Sequence, residues 1–323
     1  MAVTYRAASL AGAELAADLM TAAYPALPQD PLVTRFRWKN LRAGYRVARF
    51  IAEEGGEPIG FLAWLHAAWQ KLPDRHCEVE VWLDRGRADV ALLVEMWSWI
   101  EAEAVGEGTR LLLAYAGEDE PEMLEALRSL GYSRERVEKA WVLDLVIHGE
   151  RLAGDAATAR AKMGAEGIRL VTVAEWDDAD RMRKLHRLNE VTIQDVPHSL
   201  PIVPETFEDF EKRFHSPDRR LDRWWIALDG DSVVAMSYLK YPPVRGTVWT
   251  GFTCSDREHR GRGIARAVKL QSLAQAVELG VPEVQTDNDS ENAPMLHINE
   301  ALGYRPRPGW VEHHKRVNTS GNG

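Results

Sequence analysis

The stretch Arg257-Glu258-His259-Arg260-Gly261-Arg262-Gly263-Ile264-Ala265-Arg266-Ala267-Val268-Lys269 decides the fold. It follows an apolar run at 247–254 that reads as a strand, and it opens a helical pattern over 264–279. A chain turning through Gly261 and Gly263 into a helix presents backbone N–H groups with no Cβ in the way. The helix N-terminus adds the positive end of its dipole. Arg257, Arg260, Arg262, Arg266 and Lys269 add charge around it. A diphosphate is the natural ligand of such a turn; a solvated basic turn with no ligand is the plain alternative. It is not a nucleotide-triphosphate loop, which needs Gly-x4-Gly-Lys-Ser/Thr. Nor is it a dinucleotide fingerprint, because Gly261-x-Gly263 is followed by Arg266 where a third glycine belongs.

Working outward, the segment proves to be half of a repeat. Leu130-Gly131-Tyr132 recurs as Leu302-Gly303-Tyr304, and Met123-Leu124 as Met295-Leu296. Gly56-Glu57 resembles Gly230-Asp231, and Arg85-Gly86-Arg87 resembles Arg260-Gly261-Arg262. These matches keep one order and a nearly constant offset, so they read as a duplicated domain. Each half has the same order of patterns: a helix (9–23; 175–191), a Pro-containing stretch and a second helical segment. Two strands follow (47–53 with 58–66; 223–228 with 232–240), then a third (77–83; 247–254) and an arginine-rich turn. A helix (89–104; 264–279), a strand (109–115; 281–286), a helix ending in Leu-Gly-Tyr and a final strand (138–147; 309–317) complete it. The expected fold is α/β of the α+β kind, with a mixed sheet flanked by helices in each of two tandem domains. Residues 1–147 and 167–323 are the expected domains. Residues 148–166 are the expected linker, since Gly149, Gly154 and Gly164 interrupt it, although its alanines also suit a short helix.

Composition narrows the class. The chain has 323 residues, 45% hydrophobic and 28% charged, which fits two globular domains. No run of eighteen apolar residues exists, so a membrane-spanning helix is excluded. The opening Met1-Ala2-Val3-Thr4-Tyr5-Arg6 lacks a signal-peptide layout. Cys77 and Cys254 are far apart and form neither a disulfide framework nor a zinc cluster, so a cytoplasmic location and no metal are expected. The net charge of −9 argues against a general nucleic-acid binder. Residues 1–150 carry 16 Lys+Arg against 24 Asp+Glu, and the remainder 24 against 25, so the second half is the one equipped for an anion.

Arg260-x-x-Gly263-x-Ala265 resembles the Arg/Gln-x-x-Gly-x-Gly/Ala motif of the GCN5-related N-acetyltransferases. Asn288, then Asn292-Ala293-Pro294-Met295-Leu296-His297-Ile298-Asn299-Glu300-Ala301-Leu302-Gly303-Tyr304, is similar to the Asn-initiated helix that follows it in that family. The resemblance implies that backbone amides of Arg260, Gly261, Arg262, Gly263, Ile264 and Ala265 bind the pyrophosphate of acetyl-CoA. It implies that Asn288 and Asn292 line the pantetheine arm. It implies that amides of Phe252, Thr253 and Cys254 hold the pantetheine and polarise the thioester carbonyl. The tandem arrangement resembles two-domain members of the family, which pair a degenerate half with a working one.

The activity so implied is direct transfer of an acetyl group from acetyl-CoA to the amine of a small molecule. A peptide N-terminus is a second acceptor option, and a non-catalytic CoA-binding or scaffold protein is the alternative class. Where the family carries a tyrosine that protonates the leaving thiolate, this chain has Asn299. An amide does not protonate a thiolate, so His297, a water or an unprotonated departure takes that role. Tyr304 reads as a core aromatic, and Cys254 as a lesser candidate nucleophile. Glu190 and His198, in the segment the resemblance makes substrate-facing, are the expected general bases; Asp195, Glu205 and Asp287 are further candidates. In the first half Ala88 and Asp89 stand where the pyrophosphate turn should be, and Gly117-Glu118-Asp119-Glu120 adds charge, so no CoA is expected there. That half is expected to pack, to wall the cleft, or to bind something cationic or neutral. Monomer and homodimer are both open.

Overall fold

The computed structural model describes residues 2–317; the outermost ends of the two expected domains, residue 1 and residues 318–323, lie outside the described residues. The first elements are β1 (Val3–Ala7), α1 (Ala13–Ala23), α2 (Pro31–Lys39), β2 (Tyr45–Glu54), β3 (Glu57–Ala67) and β4 (His76–Leu83). Then come α3 (Val90–Gly106), β5 (Leu111–Gly117), α4 (Pro121–Ser129), β6 (Ser133–Asp144) and α5 (Leu145–Ala165). The order repeats as β7 (Ile168–Thr172), α6 (Arg181–Ile193), α7 (Phe207–Phe214), β8 (Trp224–Asp229), β9 (Ser232–Lys240) and β10 (Val248–Ser255). It ends with α8 (Ile264–Glu278), β11 (Glu283–Asp289), α9 (Ala293–Leu302) and β12 (Arg305–Arg316). This is the mixed α/β class read from the sequence.

The chain divides into two compact units, neither of them contiguous. Unit 1 holds the chain up to Glu138, Val244–Gly246 and the chain from Pro308 on; unit 2 holds Lys139–Pro243 and Thr247–Arg307. In unit 1 the strands run β1-β2-β3-β4-β5 and then β12. β4 and β5 are parallel, and β12 lies antiparallel to β5 from Trp310↔Gly117 to Arg316↔Leu111. In unit 2 the order is β7-β8-β9-β10-β11 and then the Lys139–Asp144 end of β6. Each unit is therefore closed by a strand from the other half of the sequence, where two uninterrupted stretches had been expected. Residues 148–166, expected as a linker, lie almost wholly within α5. Asp144 caps it by accepting from the Ile147 amide, and Gly149 serves close helix packing: a Cβ there would stand 3.0 Å from Val277 Cγ1.

Period-2 alternation builds the cores. Along β4, Cys77, Val79, Val81 and Leu83 turn to the α3 and α4 side, where Met96, Trp97 and Ile100 are fully buried. Removing the Trp97 ring would cost about 3–5 kcal/mol. In unit 2, Leu270 and Leu273 of α8 meet Val284 of β11 and Leu302 of α9 on one sheet face. On another cluster Phe214 stacks on Trp224 at 4.1 Å. No described helix is long and apolar enough to cross a membrane.

Candidate active site

The parallel pairing of β10 with β11 is short. It joins Val248 to Val284 and Trp249 to Gln285 and goes no further, so the two strands part beyond those residues. β10 also shifts register against β9 between Thr250 and Phe252. Gly251 sits at that bulge because a Cβ there would lie 1.9 Å from the Tyr238 ring. The parted strands lead to a cavity of about 650 Å³. Phe252, Thr253 and Cys254 line it from β10; Arg260, Gly261, Gly263, Ile264 and Ala265 line it from the turn and α8. Asn292 and His297 line it from α9, and Thr192, Asp195 and Val196 from α6 and the residues after it. Among the residues expected to bind the cofactor, Arg262 and Asn288 do not face this cavity. The expected catalytic residues Glu190, His198 and Asn299 are not in its wall either.

The turn itself has the required backbone. Gly261 and Gly263 have φ of 77° and 81°, with open space where a Cβ would project. Gly263 is the N-cap of α8 and makes no side-chain cap, so the amides of the first turn have no intrahelical partner. The equivalent helix of unit 1 differs. Asp89 caps α3 by accepting from the Leu92 amide, and Ala88 before it has φ of −58°. One helix N-terminus is filled by its own carboxylate, while the other is left open.

Two arginines of the turn are paired with the chain's own Asp195, which also lines the cavity. Its carboxylate pairs with Arg260 and with Arg257, whose Nε donates at 3.0 Å. The Arg257 and Arg260 hydrogen bonds pull the Asp195 carboxyl down to about 2, which unfits it as a base near neutral pH. Glu205 is engaged by Arg213 through two hydrogen bonds of 3.1 and 2.7 Å. His198 Nε2 donates to the Ile193 carbonyl at 3.2 Å, which leaves Nδ1 as the lone-pair nitrogen of the neutral ring. Glu190 is half-buried on α6. Burial pushes the Asp287 carboxyl up against the opposing pull of Lys240.

The surroundings of the other candidate residues differ from one another. Lys269 does not add charge to the turn: it is fully buried, and its Nζ donates to Asn299 Oδ1 at 2.8 Å over the Tyr304 ring. Asn299 is buried too and donates to Asn288 Oδ1. Arg262 turns toward Glu166, 3.3 Å away. Cys254 lines the cavity, but burial pushes its thiol up to about 12, so it stays protonated at neutral pH. Tyr304 and Trp224 are core aromatics. Among the described residues no group of three or more His, Cys, Asp or Glu is placed to hold a metal ion.

Comparison with known proteins agrees with this geometry. Residues 180–304 match the Acetyltransferase (GNAT) family. A tandem GNAT protein from the clavulanic acid biosynthesis pathway shares the fold at TM-score 0.76 and 17% identity, over 99% of this chain and 100% of that one. A GCN5-related N-acetyltransferase from Sphaerobacter thermophilus aligns at TM-score 0.67 and 19% identity, over 97% and 95%. A GNAT-family acetyltransferase from Colwellia psychrerythraea aligns at TM-score 0.60 and 12% identity, over 97% and 100%. No curated protein matches the chain in sequence. Residues 180–304 are thus similar to the GNAT acetyltransferase family, and the chain as a whole shares its fold with a tandem GNAT protein.

Proposed function

We propose that unit 2 binds acetyl-CoA on the turn 260–265 and transfers its acetyl group directly to the amine of a small molecule. The observation that carries this reading is the uncapped α8 N-terminus, with two left-handed glycines and two arginines already gripping a carboxylate. The residues fit the ligand: open space over Gly261 and Gly263, free amides, and a cavity lined by β10, the turn and α9. The turn amides and Arg260 would hold the pyrophosphate, with Asn292 beside the pantetheine. Backbone amides of Phe252 to Cys254 would polarise the carbonyl. The neutral amine attacks that carbonyl, its nitrogen loses a proton, and the C–S electron pair leaves with sulfur. Glu190 and His198 are the assigned bases, since Asp195 and Glu205 are committed to arginines. Unit 1, with Asp89 filling its helix N-terminus, binds no CoA in this reading.

Titration calorimetry with acetyl-CoA and thiol release over an amine panel test this. Gly263→Asp should weaken binding by at least about a hundredfold, through strain and charge together, whereas Gly263→Asn should weaken it less. Unchanged binding by Gly263→Asp would refute the site. One observation favours a second reading, a CoA-binding protein without catalysis: the tyrosine position is a buried, fully engaged Asn299. Tight CoA binding with no amine turned over would decide for it.

A further inference from the structure

Lys269 is a lysine with no exposed surface, on the helix that opens the proposed pyrophosphate turn. Buried ammonium groups are costly unless paired, and a pairing carboxylate is missing here among the described residues. Its partners are instead an amide and a ring. Nζ donates to Asn299 Oδ1 at 2.8 Å, and the Tyr304 ring centroid is 5.0 Å away. Asn299 in turn donates to Asn288, on the strand that borders the gap between β10 and β11. One turn further along α8, Ser272 Oγ neighbours Ser237, which bonds the cavity residue Thr253. The amine thus lies buried against Asn299, the one position where this chain departs from the family's acid.

We propose that Lys269 is a positioning residue for the thioester end of the site: it orients Asn299 and supplies a buried positive charge that favours CoA as its thiolate. The assignment rests on the acetyl-CoA reading above. When the carbonyl–nitrogen bond forms and the C–S bond breaks, the electron pair stays on sulfur, and the proton shed by the amine nitrogen balances the sulfur's eventual protonation. In a water-poor interior a fixed cation stabilises that developing anion without a proton having to arrive in the same step.

The groups around Lys269 leave its titration to burial. Just before β12 the facing group is Tyr304, a phenol itself held far up by burial. α9 contributes Asn299, which in turn bonds Asn288 of β11. On α5, Arg151 and Arg160 are turned to the Leu302 carbonyl and to Gln271, and Asp155 pairs with Arg151 and Arg266. Burial alone lowers the amine, to about 7, so its charge responds to a neighbouring anion at neutral pH.

The test reads the thiol of bound CoA by thiolate absorbance across pH, with acetyl-CoA and CoA affinities measured in parallel. Wild-type protein should lower that thiol's pKa by roughly one unit relative to free CoA. Lys269→Met removes charge and hydrogen bond; Lys269→Gln keeps a donor for Asn299 and removes only the charge. Both should return the thiol to the free value, Lys269→Gln with CoA affinity unchanged, and both should lower kcat about tenfold with a flattened pH profile near 7. A thiol pKa equal in wild type and Lys269→Gln, shifted or not, overturns the proposal while leaving the acetyl-CoA reading intact. Failure of wild type to bind CoA overturns both.

Discussion

At the scale of single residues, Asp195 is the chain's own anion between two arginines of the turn. Its ion pairs with Arg257 and Arg260 must yield before a phosphate takes those guanidiniums. Asp195→Asn should therefore raise CoA affinity about fivefold, the worth of roughly 1 kcal/mol of half-exposed pairing. Titration calorimetry checks it, and weaker binding would show that Asp195 shapes the turn rather than competing for it. Because the carboxyl is held near 2, this competition is constant through neutral pH and relaxes only as pH falls from about 4 toward 2. Lys269 gives the opposite sign of pH dependence. Its amine titrates lower in the folded chain than in the unfolded one, so the unfolded state binds the extra proton between about 7 and 10.5. Stability should rise with pH across that window, and Lys269→Met should melt higher at pH 7, by roughly 2–4 °C per kcal/mol regained. A flat difference between the two Tm curves from pH 7 to pH 10 would contradict this. Lys269 was legible in sequence only in part. A count of charges puts it with the arginines, yet it stands between Val268 and Leu270, in the apolar run that buries α8, and helix phase is what the count ignores.

At the scale of elements, the helices after β4 and β10 both follow an Arg-Gly-Arg turn and differ at the residue that caps them. Gly263 leaves α8 open where Asp89 seals α3, and the arginines that flank both turns do not decide the outcome. That contrast was readable because a helix N-terminus is a local feature of four or five residues. The parting of β10 from β11 was not, since register is set by partners more than thirty residues away. Gly251 marks the place where the bulge and the parting begin. Tyr238 cannot retreat from a Cβ at that position, being nearly buried and packed against Trp224 at 4.0 Å. Gly251→Ala should accordingly cost about 3 kcal/mol in denaturant unfolding. A loss below about 1 kcal/mol would mean that β10 is free to shift, and with it the amides assigned to the thioester.

At the scale of the whole molecule, the repeat in the sequence is not the division of the structure. Local periodicity places β6 and β12 at the end of each half, but it carries no information on which β-strand each will join. The hydrogen-bonded register of β12 on β5, from Trp310↔Gly117 to Arg316↔Leu111, settles the matter. Unit 1 needs the chain beyond Pro308, and unit 2 needs Lys139–Asp144. A fragment cut by the repeat, residues 1–147, then lacks the strand beside β5 and exposes that edge. The fragment 148–323 lacks the strand beside β11 and carries β12 without its partner. Neither should give a cooperative unfolding transition alone, whereas the two expressed together should restore both transitions and CoA binding. Circular dichroism melts and titration of the co-expressed pair decide it. A cooperatively folding 148–323 fragment would mean that β12 can fold back into its own half, and that the exchanged strands are a preference of the full chain rather than a requirement of each unit.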